Sequence, residues 1–247
     1  MLDNEFLSPL LKVLGDLNSH LVKRRLTSSG GDMKRLVRAV RTAGIPPFGI
    51  FNIAMSQIEL EIVELAKLVA IHRPSSVCEI GTHHGGTLLL WCALARPDAK
   101  IVSIDKPGGP FGGGYRKYRA YYYRSFAYAN QELLLLRCDS HAPETLRRVQ
   151  AFLADEKLDF LFIDGDHTYE GVKIDFETYS QLVRPDGLIV FHDIAHTTNL
   201  AVGVPRFWQE TRKTHRTQEI IADENQSGAG IGIIVGPSNS HVTGVKQ

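Results

Sequence analysis

The sequence of 247 residues has no hydrophobic run that could cross a bilayer, because about 18 consecutive apolar residues are needed and one of its longest runs covers only 88–95. It also has few cysteines. Cys78, Cys92 and Cys138 are an odd number in apolar surroundings, which predicts buried thiols in a reducing cytosol rather than a disulfide framework. The N-terminus lacks the basic and apolar segments of a signal peptide. These absences favour a cytoplasmic protein with no membrane partner.

The sequence also has almost no net charge, since 28 basic and 27 acidic residues leave +1 at pH 7. Without a broad basic surface, we expect no nucleic-acid partner. The charge is uneven, because residues 1–45 hold eight basic and four acidic side chains. Two helical patterns separated by a Ser-Ser-Gly-Gly turn at 28–31 predict an N-terminal helical cap or lid over residues 1–56. Its basic helices are a candidate interface for a homo-oligomer.

From about residue 57, short apolar runs alternate with helical stretches. The runs predicted as strands cover 77–80, 100–104, 133–136, 158–163 and 188–191. Continuous apolar strands between helices are typical of a parallel sheet covered on both faces. Residues 219–221 and 231–235 favour an antiparallel hairpin at one edge. The sequence therefore predicts an α/β fold with a Rossmann-like doubly wound sheet over residues 57–247, mostly parallel with an antiparallel C-terminal hairpin.

Acidic residues follow the predicted strands at a consistent place. Those at or just past a carboxyl end are Glu79, Asp105, Asp139, Asp164 and Asp193. In an open α/β sheet the ligand crevice lies outside these ends. Because five acids arrive there independently, they predict a site rather than five turn residues.

The first predicted strand runs into a glycine turn with the spacing E-x-G-x-x-x-G over 79–85. This differs from the G-x-G-x-x-G that holds a pyrophosphate, and an acid before the turn suits a cationic group such as an amine. Glycines let the backbone approach a ligand closely. The residues predicted here to bind a cofactor are Glu79, Gly81, Thr82 and Gly85.

The ends of the next two predicted strands carry residues that could bind a nucleoside. Asp105 can accept hydrogen bonds from ribose hydroxyls, and Asp139 with Ser140 can contact an adenine edge. An adenosine-bearing ligand with a cationic tail and no phosphates fits S-adenosylmethionine. We therefore predict S-adenosylmethionine as the cofactor.

Two further segments carry a resemblance to a known family. Residues 162–172 read Phe-Ile-Asp-Gly-Asp-His-Thr-Tyr-Glu-Gly-Val, residues 187–194 read Gly-Leu-Ile-Val-Phe-His-Asp-Ile, and Trp208 follows. Together with the glycine turn, they resemble class I S-adenosylmethionine-dependent methyltransferases, in the branch of macrolide-sugar O-methyltransferases and the cephalosporin-hydroxylase-like group. More distantly, they are similar to catechol and caffeoyl-CoA O-methyltransferases, which require a divalent metal.

The resemblance implies roles for individual residues. It makes Asp164 a metal ligand that also borders the cofactor, and it places His192 and Asp193 where a pair of further metal ligands is expected. His167 stands where such enzymes carry the proton acceptor, so it is the expected catalytic base. His192 replaces a carboxylate, and imidazole suits manganese better than magnesium, so both ions stay candidates.

The sequence thus predicts a metal-assisted O-methyltransferase acting on a hydroxyl of a small molecule, such as a sugar or a natural product. A nicotinamide-dependent oxidoreductase is one alternative, although the glycine spacing argues against it. A non-catalytic adenosine-binding module is another. A stripe of Tyr115, Tyr118, Tyr122 and Phe126 predicts a helix packed on the sheet rather than a stacking surface for nucleic-acid bases.

Overall fold

The computed structural model describes residues 30–43 and 52–236, except 110, 112 and 129, together with isolated positions between 9 and 28. The first predicted helix of the cap, with leucines at 7, 10, 11 and 14, lies outside the described residues. The second is present as α1, Met33–Arg41. Within the described part of the chain, no helix combines the length and apolar character needed to span a membrane.

Seven strands of the described residues form one sheet. They are β1 Ser76–Ile80, β2 Lys100–Ile104, β3 Glu132–Leu136, β4 Leu158–Ile163, β5 Val183–His192, β6 Thr217–Ile220 and β7 Ile231–Val235. Their order is β3-β2-β1-β4-β5-β7-β6. The first five are parallel, whereas β7 runs antiparallel to both β5 and β6. The predicted doubly wound sheet with its C-terminal hairpin is confirmed.

Helices cover both faces of this sheet. After α1 they are α2 Glu59–His72, α3 Gly86–Leu94, α4 Lys117–Arg124, α5 Pro143–Leu153, α6 Tyr169–Tyr179 and α7 Val204–Thr211. Strand β4 shows why its sequence is apolar throughout: Phe160 and Phe162 belong to one buried cluster, and Leu161 and Ile163 to a cluster on the opposite face. Helix α1 contributes to the first cluster, so this part of the predicted cap is packed into the core.

The predicted start of β5 is wrong. The apolar run indicated a strand at 188–191, but β5 begins earlier, at Val183. Val183 pairs with Leu158 and Leu188 pairs with Phe160, so residues 184–187 form an irregularity within the strand. Residues 184–187, which the apolar pattern left outside the strand, therefore bulge from it.

The aromatic stripe is buried in the same cluster as Phe160, as expected for Tyr115, Tyr118, Tyr122 and Phe126. The helix is shorter than the stripe, because α4 contains Tyr118 and Tyr122 but neither Tyr115 nor Phe126. All three cysteines are free thiols. Cys78 and Cys92 are buried, whereas Cys138 is only partly buried and borders a cavity.

Candidate active site

A cavity of about 420 Å³ opens at the carboxyl ends of the parallel strands. Nine of the predicted site residues border it: Gly81, Thr82, Asp105, Asp139, Ser140, Asp164, His167, His192 and Asp193. Because parallel strands end at the same edge of the sheet, residues far apart in sequence meet here. Glu79 and Gly85 do not border the cavity.

Gly81 follows the last residue of β1 and lies against the backbone that follows β4. Its φ angle is +98°, and a Cβ atom on it would lie 1.9 Å from the carbonyl oxygen of Asp164. The glycine spacing predicted close approach of a ligand at this position, but the contact that requires a glycine is with the backbone of Asp164. Gly85 caps α3 with φ +77°, and a Cβ there would meet the ring of Tyr123 at 2.8 Å.

Glu79 lies behind the cavity wall. Its side chain is fully buried, and Oε1 accepts a hydrogen bond of 3.1 Å from Nε1 of Trp91. Burial raises the pKa of Glu79 to about 8, against the lowering effect of the Thr87 hydroxyl. At neutral pH this carboxyl is therefore mainly protonated, and it adds little negative charge to the cavity.

Asp105 fixes two loops that border the cavity. Its carboxylate accepts hydrogen bonds from the backbone N–H of His83 at 2.8 Å and of Gly114 at 2.9 Å. Burial raises the pKa of Asp105 to about 6, although these N–H groups lower it. Nearby, the buried hydroxyl of Thr82 pairs with that of Ser103. Asp105 thus joins the glycine turn after β1 to the loop after β2.

Asp139 has a different environment, because it is partly exposed and carries a cation beside it. Nζ of Lys106 donates a hydrogen bond to Oδ2 at 2.6 Å, and the backbone N–H of His141 donates to Oδ1 at 3.1 Å. Partial burial raises the pKa of Asp139, but Lys106 outweighs this and holds it below its ordinary value. The carboxylate is therefore charged at neutral pH.

Four side chains converge where β4 and β5 end. His167 Nδ1 lies 3.1 Å from Asp193 Oδ2, and His167 Nε2 lies 3.5 Å from Asp164 Oδ1. His192 Nδ1 lies 3.2 Å from the same Asp164 oxygen and 3.4 Å from Asp193 Oδ1. Both histidines thus contact both carboxylates. We call these four residues the His-Asp cluster.

The histidines and carboxylates of the His-Asp cluster shift one another's pKa values. Burial raises the pKa of Asp164, but His192 and His167 outweigh it and hold that pKa well below the ordinary value. Burial lowers the pKa of each histidine, yet Asp164 outweighs it, so the pKa of His167 is raised and that of His192 is raised well above 6.5. In the absence of another cation, protons on the imidazoles balance the carboxylates.

The His-Asp cluster has the composition and spacing of a site for a divalent cation. Asp164, His167 and Asp193 each offer a ligand atom, and these atoms all lie within 4.8 Å of one another. His192 is buried, and its Nε2 atom has no hydrogen-bond partner within the described part of the chain. Carboxylate oxygens with one or two imidazoles suit manganese, iron or zinc, and the carboxylates also suit magnesium.

Two cavity residues were not singled out by the sequence analysis. Gln57 is buried, and its Nε2 atom donates a hydrogen bond of 2.7 Å to Asp164 Oδ2. Phe111 stacks on the His167 ring with 4.8 Å between centroids and 15° between planes. No local pattern marks either of them, because each acts through a contact with a residue distant in sequence.

Known proteins and a known sequence family are similar to this chain. Residues 78–194 match the sequence family described as "Methyltransferase domain". An uncharacterized protein, y4gI, from Sinorhizobium fredii is 29% identical over 146 residues, which is 58% of this chain but only 16% of that protein. The chain thus corresponds to a small part of the length of this curated relative.

Two solved structures share the fold. An O-methyltransferase from Bacillus cereus in complex with SAH has a TM-score of 0.51 at 18% identity, over 86% of this chain and 97% of that one. The O-methyltransferase TomG from Streptomyces achromogenes, involved in tomaymycin synthesis and in complex with SAM, has a TM-score of 0.52 at 15% identity, over 86% and 96%.

The sheet order, the cavity at the strand ends and the family match together favour methyl transfer over the nicotinamide-dependent alternative. Residues 78–194 therefore mark a methyltransferase domain in this chain, and the chain shares its fold with O-methyltransferases whose structures hold SAH or SAM.

Proposed function

We propose that this methyltransferase moves the methyl group of S-adenosylmethionine to a hydroxyl oxygen of a small molecule, such as a sugar or a natural product, and that a divalent cation assists the reaction. The observation that carries the proposal is one cavity bordered both by Asp105 and Asp139 and by the His-Asp cluster. A donor bound beside Asp105 and Asp139 would therefore lie next to a cation bound by the His-Asp cluster. The O-methyltransferases of similar fold support the choice of oxygen as the acceptor atom.

The nucleoside end of the cavity supplies positioning. Asp105 retains unshared electron pairs beyond those used for His83 and Gly114, so it can accept hydrogen bonds from ribose hydroxyls. Asp139 and Ser140 border the place proposed for the adenine. Holding donor and acceptor in line supplies much of the acceleration in a displacement at carbon.

The chemical step is an in-line displacement. The acceptor oxygen forms a bond to the methyl carbon, the carbon–sulfur bond breaks, and its electron pair remains on the sulfur of S-adenosylhomocysteine. His167 acts as the base in its neutral form, in which the Nδ1 hydrogen donates to Asp193 and Nε2 takes the hydroxyl proton. Asp164 and Asp193 then stabilise the imidazolium that results. Phe111 covers one face of the ring and restricts its orientation.

Asp164, Asp193 and His192 are the proposed cation ligands, in keeping with the donor set found at the ends of β4 and β5. A divalent cation bound there supplies positive charge that lowers the pKa of the acceptor hydroxyl. The spacing of the cluster also supports His167 as a ligand in place of His192. The two assignments differ in which histidine the cation requires.

The test measures labelled methyl transfer to a panel of catechols, glycosides and other small hydroxylated molecules, with Mn²⁺ or Mg²⁺ added after chelation. We expect transfer to at least one acceptor and a loss of activity on chelation. If every acceptor fails while the protein binds S-adenosylhomocysteine, the proposal of O-methylation is wrong. Undiminished activity after complete chelation would exclude the cation.

Histidine variants separate base from ligand. As a base, His167→Ala lowers kcat by about 100-fold or more and leaves the Mn²⁺ affinity within about threefold of the wild type. If His167 is a ligand instead, the Mn²⁺ affinity falls and His192→Ala leaves it unchanged. His72→Ala is the matched control, because this histidine is exposed at the end of α2 and does not border the cavity.

A further inference from the structure

Helix α2 carries a carboxylate with no contact to the cavity. Glu61 is fully buried and does not border the cavity. A buried carboxylate is costly unless it is well paired, and Glu61 accepts three hydrogen bonds. Oε1 accepts from the backbone N–H of Ala222 at 3.1 Å and from Nε2 of Gln226 at 2.7 Å, and Oε2 accepts from the backbone N–H of Gly230 at 3.0 Å.

All three partners belong to one segment, residues 221–230, which we call the β6–β7 loop. The loop ends in three consecutive residues with positive φ: Gly228 at 79°, Ala229 at 55° and Gly230 at 81°. A residue with a side chain is disfavoured in this region, so Ala229 holds its conformation only because its surroundings impose it. Glu61 contacts the residue immediately after it.

The same loop reaches the His-Asp cluster. The backbone N–H of Ala229 donates a hydrogen bond of 3.1 Å to Asp193 Oδ1. Asp193 also has a positive φ, 62°, so both partners of this bond occupy a disfavoured conformation. Two further backbone hydrogen bonds hold the end of the loop: Ala195 N–H donates to the Ala229 carbonyl at 2.9 Å, and Gly228 N–H donates to the His196 carbonyl at 2.8 Å.

We propose that Glu61 is a positioning residue for the cation site: its carboxylate fixes the β6–β7 loop, so that Ala229 N–H orients Asp193. The inference rests on the proposed function, because it concerns the affinity of that site for a cation. Glu61 lies near the start of α2, and it does not border the cavity in which donor and acceptor are proposed to bind. Residues that orient a metal ligand in this way affect metal affinity without binding the metal themselves.

The test compares Glu61→Gln with Glu64→Gln. Glu64 lies on the same helix but is exposed and paired only with Lys67 within the described residues, so it controls for charge and helix position. In Glu61→Gln, the amide nitrogen faces N–H donors and one accepting oxygen is lost. Three measurements are made: hydrogen exchange at the Ala229 amide in the cation-free protein, Mn²⁺ affinity by electron paramagnetic resonance, and S-adenosylhomocysteine affinity by calorimetry.

We expect Glu61→Gln to speed Ala229 exchange by about tenfold or more and to weaken Mn²⁺ binding by about tenfold, within the range found for residues that orient metal ligands. S-Adenosylhomocysteine affinity stays within about twofold, since Asp105 and Asp139 are separate from the β6–β7 loop. Glu64→Gln should match the wild type in all three measurements.

The results that would overturn the inference are distinct from a failure of the proposed function. If the wild type binds no Mn²⁺, the proposed cation site is wrong. Hydrogen exchange still tests Glu61 in that case, because unchanged exchange at Ala229 in Glu61→Gln refutes its proposed role. Equal losses of Mn²⁺ and S-adenosylhomocysteine affinity indicate general destabilisation and also refute the inference. If Glu61→Gln does not fold, Gln226→Ala removes only one of the three bonds and should weaken Mn²⁺ binding by about threefold; wild-type affinity in that variant refutes it.

Discussion

The buried carboxyl of Glu79 should make the stability of the protein depend on pH, and the magnitude of this effect can be calculated from its pKa. Its pKa is about 8 in the folded protein, against 4.5 for an unperturbed glutamate. The folded state therefore holds this proton more tightly than the unfolded state does. The favourable contribution is complete below pH 4.5 and is lost as the pH rises towards 8.

The size follows from the two pKa values. One pKa unit corresponds to about 1.4 kcal/mol, so Glu79 removes about 3 kcal/mol from the free energy of unfolding between pH 5 and pH 8. Glu79→Gln imitates the protonated side chain and cannot ionise. The difference in stability between the variant and the wild type should therefore move by about 3 kcal/mol in favour of the variant over this range.

Urea unfolding of both proteins at pH 5, 6, 7 and 8 measures this difference. All other titrating groups are common to the two proteins, so their contributions cancel to first order. Glu79→Asp serves as an ionisable control, because it should keep a pH dependence of the same sign. A stability difference that stays constant within about 1 kcal/mol from pH 5 to pH 8 would refute the reasoning.

Two further predictions concern the contacts that close the cavity. Gly81→Ala places a Cβ 1.9 Å from the Asp164 carbonyl oxygen at φ +98°, so we expect a loss of at least about 3 kcal/mol in urea unfolding; a loss below about 1 kcal/mol would show that the strand ends separate easily. Gln57→Ala removes the 2.7 Å hydrogen bond to Asp164, and we expect about a tenfold weaker Mn²⁺ affinity with unchanged thermal stability; wild-type affinity would exclude that role.

The sheet and the position of the site at its edge could be predicted from local sequence patterns. Apolar runs such as 158–163 are buried on both faces, and that requirement is visible in the residues themselves. Because Asp105, Asp139 and Asp164 each follow such a run, their common position was predictable from the parallel topology alone. The start of β5 was not, since residues 184–187 carry turn signals that the pairing with β4 overrides.

The direction in which each side chain points at the strand ends could not be predicted from the local sequence. Glu79 and Gly81 are two residues apart, yet only Gly81 borders the cavity, while Glu79 points to Trp91. The requirement for glycine at 81 was predicted, but its cause lies in the Asp164 carbonyl of another strand. A sequence shows that a position needs a glycine without showing which neighbour requires it.

Each proposed carboxylate ligand is held by a segment from outside the strand that carries it. Gln57, before α2, donates to Asp164, and Ala229, before β7, donates to Asp193. Each bond leaves its carboxylate with a second oxygen that a histidine contacts. The strands bring the two carboxylates to one edge, but the distant segments fix their orientation, and a cation site depends on orientation as much as on proximity. We therefore expect variation in these two segments to alter cation affinity while leaving the sheet and the contacts of Asp105 and Asp139 intact.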